Sequence, residues 1–478
     1  MIYIAFWTVI EAQGTPEQSA KWLEAAKRHA VLGCYGQTEL SHGSNVARLQ
    51  TTATYDEATE EFIINSPDIT AAKWWIGGLG VACTHSALQA QLIVKGKNYG
   101  PHIFIVPVRS PCNPFFSLLL VNLKPVKGVT VGDIGPKAYG GFATTDNGYC
   151  IFDHVRIPRD NMLMRFAQVS KEGVYSPPVH SKASYGSMVR LRVGILSDAG
   201  WKLAKAATIA VRYCTSRRQF NTDQNGLESQ VISYSSVRHR LYPLVATAYA
   251  LILSSLDFYK QFDVLAEQLL RQDASLLPEM HVNSCAFKIW GTRRSTEGIE
   301  EARKSMGGHG FSIFSGVAEL YSAFVPSNTY EGDNYMLSQQ VGRAMLKQLD
   351  RFNKGMPYSI NTAKYLDTLK TNPTFKLDVV TLHDPEVQLT LFAKRAARLV
   401  ANLGSQVQAG RPWTDLNMEC WDICFAHAEY LLLKQLIATV KEFKKSAQHE
   451  ALVPVIQNVS NLVFTVFCYI LFVVFILK

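Results

Sequence analysis

The hydrophobic period of this chain changes once, after Pro178, and that change limits the folds open to it. Before it, short apolar or alternating runs are divided by Asp, Gly, Asn and Pro, which is typical of β-strands. After it, apolar residues recur at helical spacing with few internal breakers. The predicted strands are 51–55, 61–65, 88–94, 103–108, 128–131 and 149–157, and the predicted long helices are 188–218, 234–271, 277–306 and 335–353. Since strands and helices do not alternate, the sequence predicts an α+β fold, an antiparallel β domain followed by a helical bundle.

Breaker residues mark the other boundaries. Thr15 and Pro16 predict the start of a short helix over 16–29, because Thr caps helices well and Pro suits the first helical position. The stretch 355–385 contains several prolines and is interpreted as a linker, after which the helical pattern resumes over 386–405 and 416–444. At 478 residues the chain should form more than one domain, because single cores stop growing near ~250–300 residues.

Composition excludes several classes of protein. Hydrophobic residues make up 47% and charged residues 18% of the chain, which describes a globular protein. The net charge of +9 is mild for this length and comes without a long basic run, so nucleic acid is not an expected partner, although an anionic phosphate-bearing ligand would suit it. The nine cysteines have no zinc-ligand spacing, so no metal is expected, and their scatter favours a reducing compartment. The opening residues lack the basic region and cleavage site of a signal peptide.

Two apolar segments do not fit this pattern. The segment 111–127 carries a run of Phe and Leu where a turn should join two strands. It could cover a neighbouring surface, contact a membrane, or be an insert without selected structure, and we favour the last. The tail 462–477 is apolar, but at ~1.5 Å per residue it reaches only roughly 24 Å of a ~30 Å bilayer core. A tail anchor and a frame-altered or unspliced end both remain open.

The segment Thr329–Asn334 places a single carboxylate, Glu331, between Tyr330 and Gly332 at a break between two helical patterns. A glutamate in such a turn could be a strong base if burial and exclusion of water keep it reactive near neutral pH. Spacing alone favours a solvated turn instead. The sequence therefore proposes Glu331 without deciding its role.

Three other motifs have both a functional and a structural interpretation. Trp74–Gly80 joins two aromatic side chains to a glycine run, and is either a ligand contact or a turn after a core strand. Gly307–Gly310 could present N–H groups to a phosphate, or could simply end a helix. Arg217–Phe220 could bind a diphosphate, or its arginines could complement a helix dipole. No GxSxG, HExxH or P-loop motif is present, so hydrolytic and nucleoside-triphosphate chemistries have no support.

Taken together, these motifs resemble the acyl-CoA oxidase family, the flavoprotein oxidases of peroxisomal β-oxidation. The resemblance covers about residues 32–351 and includes further ordered motifs at 33–45, 73–80, 131–135, 146–148 and 156–159. The Thr38-Glu39-Leu40-Ser41-His42-Gly43 form in the first block is that of the oxidases and not of the related acyl-CoA dehydrogenases, which share the fold. The resemblance implies a barrel-type antiparallel middle domain followed by helices.

The resemblance also assigns roles to individual residues. It implies that Thr38 and Gly77 contact the flavin region of FAD, that Gly307, Gly308 and His309 form a loop beside FAD, and that Arg217 and Gln219 contact FAD across a homodimer interface. Glu331 matches the family's catalytic base, which takes a proton from the α-carbon of an acyl-CoA while a hydride leaves the β-carbon for the flavin. The product is a trans-2-enoyl-CoA, and molecular oxygen reoxidises the flavin to give hydrogen peroxide.

The resemblance divides the chain into six parts. They are a remnant of an N-terminal helical domain (1–30), the β middle domain with its apolar insert (31–178), the helical domain carrying the base (179–354), the linker (355–385), a partial second helical domain (386–450) and the apolar tail (451–478). A peroxisomal location is implied, although the usual C-terminal tripeptide is absent from the ending Ile476-Leu477-Lys478. Two alternatives stay open: a truncated, non-catalytic product with a membrane-anchored tail, and a dehydrogenase using another electron acceptor.

Overall fold

The computed structural model describes residues 5–110, 123–178, 186–371, 381, 383–445, 451, 453–459 and 461. Contacts between residues divide the chain into two compact units, Met1–Leu191 and Arg192–Lys478. The first unit holds short helices and strands, and the second holds long helices. The predicted α+β class is therefore confirmed, whereas the finer division into six parts stays a prediction.

Two helices open the first unit, α1 Trp7–Gln13 and α2 Pro16–Lys27. At the start of α2, Thr15 Oγ1 accepts a hydrogen bond from the Gln18 N–H at 3.2 Å, and Gln18 Oε1 accepts one from the Thr15 N–H at 3.0 Å. This reciprocal capping box satisfies donors that the first turn of a helix leaves unpaired. The helix predicted over 16–29 is confirmed apart from its last two residues, while α1 lies in the apolar opening run that the pattern left unassigned.

Eleven strands are described in the first unit. They are β1 Gly33–Gly36, β2 Thr52–Asp56, β3 Glu61–Asn65, β4 Lys73–Gly77, β5 His85–Val94, β6 Lys97–Pro107, β7 Val129–Asp133, β8 Asn147–Phe152, β9 Val155–Pro158, β10 Gln168–Val169 and β11 Tyr175–Ser176. A six-stranded sheet has the order β1-β5-β2-β3-β9 with β6 beside β5, a three-stranded sheet has the order β4-β8-β7, and β10 pairs with β11. Burial alternates along β2 and β3, so one face of each strand packs into the core.

The direction of two strand pairs differs from the prediction of an antiparallel domain. β5 runs parallel to β1, with Gly33 opposite His85, and parallel to β2, with Thr52 opposite Gln91. Alternation along one strand shows which face is buried and carries no information about the direction of its neighbour. The single strand predicted over 149–157 is also two strands, β8 and β9, which belong to different sheets.

Part of the predicted apolar insert pairs with the strand that precedes it. The Ser110 N–H donates to Lys124 O at 3.0 Å, and the Val126 N–H donates to Val108 O at 3.2 Å. Residues 123–127 therefore continue the β structure of the first unit. Residues 111–122 lie outside the described residues.

The second unit is built from long helices around α5. The helices are α3 Gly186–Ser216, which crosses the boundary between the units, α4 Ser235–Leu270, α5 Leu277–Ser305, α6 Gly308–Phe311, α7 Val317–Phe324, α8 Asn334–Asn353, α9 Pro385–Gln408 and α10 Asn417–Phe443. The predicted long helices are confirmed to within three residues at each end. α5 packs against α4, α7, α8 and α10.

Buried polar contacts join three of these helices. Trp290 on α5 is fully buried, and its Nε1–H donates to Glu429 Oε1 on α10 at 3.1 Å. Glu429 also forms an ion pair with Arg395 on α9. Helices α9 and α10 thus belong to the same compact unit as the helices before them.

The predicted linker 355–385 contains structure of its own. Asn361–Leu369 forms a 3₁₀ helix in which Tyr365 and Leu366 are buried, and the Tyr365 hydroxyl donates to Met345 Sδ at 3.1 Å. Residues 372–380 and 382 lie outside the described residues, as do 462–478, which carry most of the predicted apolar tail.

Two helices, α4 and α10, are long and apolar enough to cross a membrane by length and composition alone. Core helices of soluble proteins meet the same criterion, and most of the apolar window of α10 is buried inside the second unit. These helices therefore give little support to a membrane-spanning role.

The cysteines are buried and unpaired wherever the structure describes them in detail: Cys34, Cys83, Cys150, Cys214, Cys285, Cys420 and Cys424. No cluster of three or more His, Cys, Asp or Glu side chains suited to a metal ion occurs among the described residues.

Candidate active site

Glu331 lies in a turn between a 3₁₀ segment, Val325–Asn328, and helix α8. Asp333 caps α8, because its Oδ1 accepts hydrogen bonds from the N–H groups of Tyr335 at 2.9 Å and Met336 at 3.2 Å. The helix start is thus fixed two residues after Glu331. The turn that the sequence predicted at this position is present.

The backbone of this turn adopts two successive left-handed conformations. Glu331 has φ 56° and Gly332 has φ 101°. A left-handed conformation costs a residue with a side chain roughly 1–2 kcal/mol, so surrounding contacts must hold Glu331 there. At Gly332 an added Cβ would come within 2.8 Å of Leu337 Cδ2, so glycine is required for space as well as for conformation.

The Glu331 carboxylate has one buried oxygen without a partner. Its Oε2 is closed from solvent and forms no hydrogen bond with the described residues. Burial raises the pKa of Glu331, while the positive charges of Arg192 and Lys288 act in the opposite direction. The Glu331 N–H also has no acceptor in the part of the chain that the structure describes. The turn therefore presents a basic oxygen and a free donor on the same residue.

Arg192 on α3 connects Glu331 to α5 and α8. Its Nε donates to Glu331 O at 3.4 Å, and its Nη1 lies 3.5 Å from both His281 Nδ1 and Cys285 Sγ. His281 Nε2 lies 2.8 Å from Gln340 Oε1, so the network is satisfied when His281 carries its proton on Nε2. Arg192 is buried and places a positive charge beside the base without pairing with its Oε2.

Lys288 on α5 is the second cation of the site. It is fully buried, and its Nζ donates to Gly332 O at 2.7 Å and to Asn334 Oδ1 at 2.8 Å. Arg192, Lys288 and Asn334 were not predicted as site residues from the sequence. The sequence does contain a signal for Lys288. Thr292 and Thr296 follow it at intervals of four residues, so the three side chains form a polar stripe on one side of an otherwise apolar helix.

The glycine loop, Gly307–Gly310, follows the end of α5, as predicted, but its last three residues belong to the short helix α6. Gly307 has φ 60°, and a Cβ added at Gly307 or Gly308 would meet no atom within 4 Å. The open backbone at these two glycines can be approached closely by a ligand. His309 packs against Tyr213 of α3, with ring centroids 5.6 Å apart, so the loop touches the last turns of α3.

Arg217 and Gln219 lie just after α3 and not in its last turn. The Val231 N–H donates to Arg217 O at 2.9 Å, and the Gln219 N–H donates to Ser229 O at 2.9 Å, which holds this segment in a loop pinned to 229–231. The Arg217 side chain is exposed. The alternative that Arg217 and Arg218 stabilise α3 by complementing its dipole therefore has less support, because this effect is weaker outside the last turn of a helix.

Thr38 and Gly77 belong to neighbouring segments of the first unit. The Trp74 N–H donates to Thr38 O at 3.0 Å, and Gly77 ends the same strand, β4, that Trp74 belongs to. Trp74 stacks on Tyr149, while Trp75 is exposed and has φ 68°.

A buried ion pair fixes the segment that carries Thr38. Lys73 Nζ donates to Glu39 Oε1 at 3.0 Å, to Gln37 O at 3.1 Å and to Gln89 O at 2.7 Å. Glu39 Oε2 accepts a hydrogen bond from the Gln50 N–H at 2.7 Å, and Glu39 Oε1 accepts one from the Thr51 N–H at 2.9 Å. Both residues that flank Thr38 are therefore held by Lys73.

The predicted site residues fall into three groups. Thr38 and Gly77 form one group in the first unit. Within the second unit, Arg217, Gln219, Gly307, Gly308 and His309 gather where α3 and α5 end. Glu331 belongs to neither group, because its turn is bound at Lys288, about 25 Å before the end of α5 at ~1.5 Å per residue.

Comparison with known proteins gives a consistent set of matches. Residues 185–346 match the model of the acyl-CoA oxidase C-alpha1 domain. The chain is 40% identical over 446 residues to peroxisomal acyl-coenzyme A oxidase 1 of Arabidopsis thaliana, covering 91% of this chain and 66% of that protein. It thus spans just under two thirds of that relative's length.

Solved structures give the same result. The fold is similar to that of Arabidopsis thaliana acyl-CoA oxidase 1, with a TM-score of 0.86 and 35% identity over 96% of this chain and 76% of that chain. It is also similar to Caenorhabditis elegans acyl-CoA oxidase-2 bound with FAD, ascaroside-CoA and ATP, with a TM-score of 0.84 and 30% identity over 97% of this chain and 73% of that chain.

Proposed function

The chain belongs to the acyl-CoA oxidase family, and on that premise we propose that it oxidises a fatty acyl-CoA to a trans-2-enoyl-CoA with FAD. Molecular oxygen is the final electron acceptor, and hydrogen peroxide is released. The observation that carries the proposal is the unpaired, buried Oε2 of Glu331 in a turn that three helices hold in place.

Glu331 is the base for the α-proton of the substrate. A carboxylate that is buried and unpaired accepts a proton more readily than one in water, which is the direction in which burial moves the pKa of Glu331. The positive charges of Arg192 and Lys288 act against that rise in the pKa of Glu331 and favour its ionised form. The free Glu331 N–H can donate to the thioester oxygen as negative charge develops there.

The chain has residues suited to hold FAD. An added Cβ at Gly78, Gly307 or Gly308 meets no atom within 4 Å, so each backbone is open to a ligand, and the exposed Arg217 suits a diphosphate. The residues that would hold FAD are Thr38, Gly77, Arg217, Gln219, Gly307, Gly308 and His309. The chemistry supplied by bound FAD is acceptance of a hydride from the β-carbon and transfer of two electrons to oxygen.

The test is the substitution Glu331→Gln, which keeps size and removes the base. Peroxide formation from palmitoyl-CoA should fall by about 10²–10⁴-fold while flavin absorbance is retained. The matched control is Glu319→Gln on the exposed face of α7, which should leave turnover unchanged.

Three outcomes would contradict parts of the proposal. Near-normal turnover in Glu331→Gln would remove the base assignment. Turnover that needs an artificial acceptor in place of oxygen would make the protein a dehydrogenase. Purified chain that neither binds FAD nor turns over would support the truncated, non-catalytic alternative.

We also propose that the protein is a homodimer. Phe311, Ile313 and Phe314, directly after the glycine loop, are 75%, 75% and 98% exposed, and a contiguous exposed apolar patch is typical of an interface. The same interface would bring Arg217 and Gln219 to the FAD of the partner. Light scattering after size exclusion should give twice the chain mass, and Phe314→Ser should shift it toward the monomer. A monomer at all concentrations tested would overturn this assignment.

A peroxisomal location is proposed from the family. A fluorescent protein fused to the N-terminus of the chain should co-localise with a peroxisomal marker. Diffuse cytosolic signal, or signal at another membrane, would contradict it.

A further inference from the structure

Lys288 ties the residues after Glu331 to the middle of α5. Its two acceptors, Gly332 O at 2.7 Å and Asn334 Oδ1 at 2.8 Å, are one and three residues beyond the base. Gly332 is the second left-handed residue of the turn, so the bond to its carbonyl acts on the part of the backbone that sets the direction of Glu331.

The same face of α5 holds the residues before Glu331. Asn334 Nδ2 donates to Thr292 Oγ1 and to Asn328 Oδ1, both at 3.1 Å, and Asn328 Nδ2 donates to Thr296 Oγ1 at 2.9 Å. Lys288, Thr292 and Thr296 are four residues apart and share one side of the helix. The turn is therefore bound to α5 on both sides of the base.

Lys288 differs from the threonines because it also carries charge. Burial and the nearby Arg192 lower the pKa of Lys288 to about 7, against the opposing effect of Glu331, Asp333 and Cys285. A neutral amine still has two N–H donors, enough for both of its hydrogen bonds. The hydrogen bonds thus persist on either side of neutrality, whereas the charge beside the base does not.

Other groups contribute to the electrostatics of this site. Arg192, Cys285 and Asp333 act on Lys288, and Tyr330 interacts with Glu331. One step further out, His281 contacts Arg192, Asp198 acts on Tyr330, and Cys424 interacts with Cys285. Arg192 is the cation that acts most on Glu331, and Lys288 is the second.

We propose that Lys288 is a positioning residue for the base: it holds the Glu331 turn through the Gly332 carbonyl and Asn334, and its charge helps to keep the Glu331 carboxylate ionised. This inference rests on the proposed function of Glu331. Lys288 does not contact the substrate in this scheme, and acts only through the turn and through its charge.

The decisive substitution is Lys288→Met, which keeps a chain of similar length and removes both donors and charge. We expect kcat to fall by about 10²-fold with a smaller change in KM, because the base is displaced and not the binding surface. The acidic limb of the kcat profile should also move to higher pH by on the order of one unit, since a neighbouring cation that favours the carboxylate is lost. Lys288→Arg should keep the limb near its original position.

Thr292→Val separates geometry from charge. It removes one hydroxyl from the same network without changing any charge, so it should lower kcat and leave the acidic limb where it was. If Lys288→Met does not fold, Lys288→Gln, which keeps an amide donor and removes the charge, takes its place. The proposal would be overturned if the acidic limb of the kcat profile stayed at its original pH in both Lys288→Met and Lys288→Gln.

The ionisation of Glu331 can be measured without turnover or flavin. A raised folded-state pKa means that the folded protein holds an extra proton between the ordinary value of 4.5 and the raised value. The stability that this proton contributes is present below pH 4.5 and is lost as pH rises through the raised pKa. Glu331→Gln removes that dependence.

The pH range in which the Glu331 proton contributes stability should extend to higher pH in Lys288→Met. In Thr292→Val this range should keep its original position. The two proposals fail in different ways. Loss of the proposed function appears as undiminished turnover in Glu331→Gln, whereas loss of this inference appears as an unchanged pH window in Lys288→Met while Glu331→Gln remains inactive.

Discussion

The buried pair of Lys73 and Glu39 gives a sharp prediction for the first unit. Both side chains are fully closed from solvent, with Nζ and Oε1 3.0 Å apart. Burial lowers the pKa of Lys73 to about 8, so the amine is protonated at pH 7. Burial also acts to raise the pKa of Glu39, but Lys73 and the N–H groups of Gln50 and Thr51 outweigh it, so that the pKa of Glu39 is lowered. Both groups are therefore ionised at neutral pH.

Lys73→Met should leave the Glu39 carboxylate buried without its cation. Removing one partner of a buried ion pair costs about 3–5 kcal/mol, which multiplies the unfolding equilibrium constant by about 10²–10⁴. Guanidinium chloride unfolding at pH 7, followed by tryptophan fluorescence, measures this loss. The segment around Thr38 loses two of its anchors in the same variant, so FAD should also be bound more weakly.

A surface pair of the same geometry supplies the control. Lys171 Nζ and Glu60 Oε2 are also 3.0 Å apart, but both side chains are about half exposed, and pairs of that kind contribute about 0–1 kcal/mol. Adding Glu39→Gln to Lys73→Met should recover part of the lost stability, because the uncompensated charge is gone. The reasoning is refuted if Lys73→Met costs no more than Lys171→Met.

Two further predictions concern the second unit. Gly332→Ala should lower the free energy of unfolding by more than the ~1–2 kcal/mol that a left-handed alanine costs, because the new methyl group would meet Leu337. Gly355 has φ 65° and open space around it, so Gly355→Ala should show the conformational cost alone in the same denaturant titration. Equal losses of stability in the two variants would argue against the contact with Leu337. Burial lowers the pKa of His427 to about 3, so the unfolded chain binds an extra proton below pH 6.5 and acidification from there should cost up to about 1.4 kcal/mol per pH unit. His427→Gln should flatten this dependence whereas His154→Gln on the surface should not, as measured by unfolding at pH 4–7; identical slopes in all three proteins would contradict the assignment.

Local patterns in the sequence predict most of the secondary structure. Helices α2–α5 and α8–α10 follow from apolar spacing and breakers, because the buried stripe of a helix repeats every three to four residues whatever it packs against. The parallel pairing of β5 with β1 and β2 does not follow, since it depends on contacts between distant segments. The split of 149–157 into two strands occurs at Asp153–His154, where one Asp inside an apolar run does not by itself show that the chain passes from one sheet to another.

The candidate site shows the same division. Glu331 and the glycine loop are visible in the sequence because unusual residues stand together. Arg192, Lys288 and Asn334 are 139, 43 and 3 positions from the base, and only folding brings the first two to it. Their side chains point inward from helices whose other residues are ordinary core residues, so composition and spacing give each of them little weight.

The burial of Cys285 has a consequence for the durability of the protein. Its thiol lies 3.5 Å from Arg192, which contacts the turn of the proposed base, and the proposed reaction of this protein releases hydrogen peroxide. Peroxide oxidises the thiolate and not the thiol, and burial raises the pKa of Cys285, so the sulfur stays protonated despite the nearby cations. The sulfur nearest to Arg192 would thus resist oxidation by the product of the proposed reaction, because burial keeps it protonated.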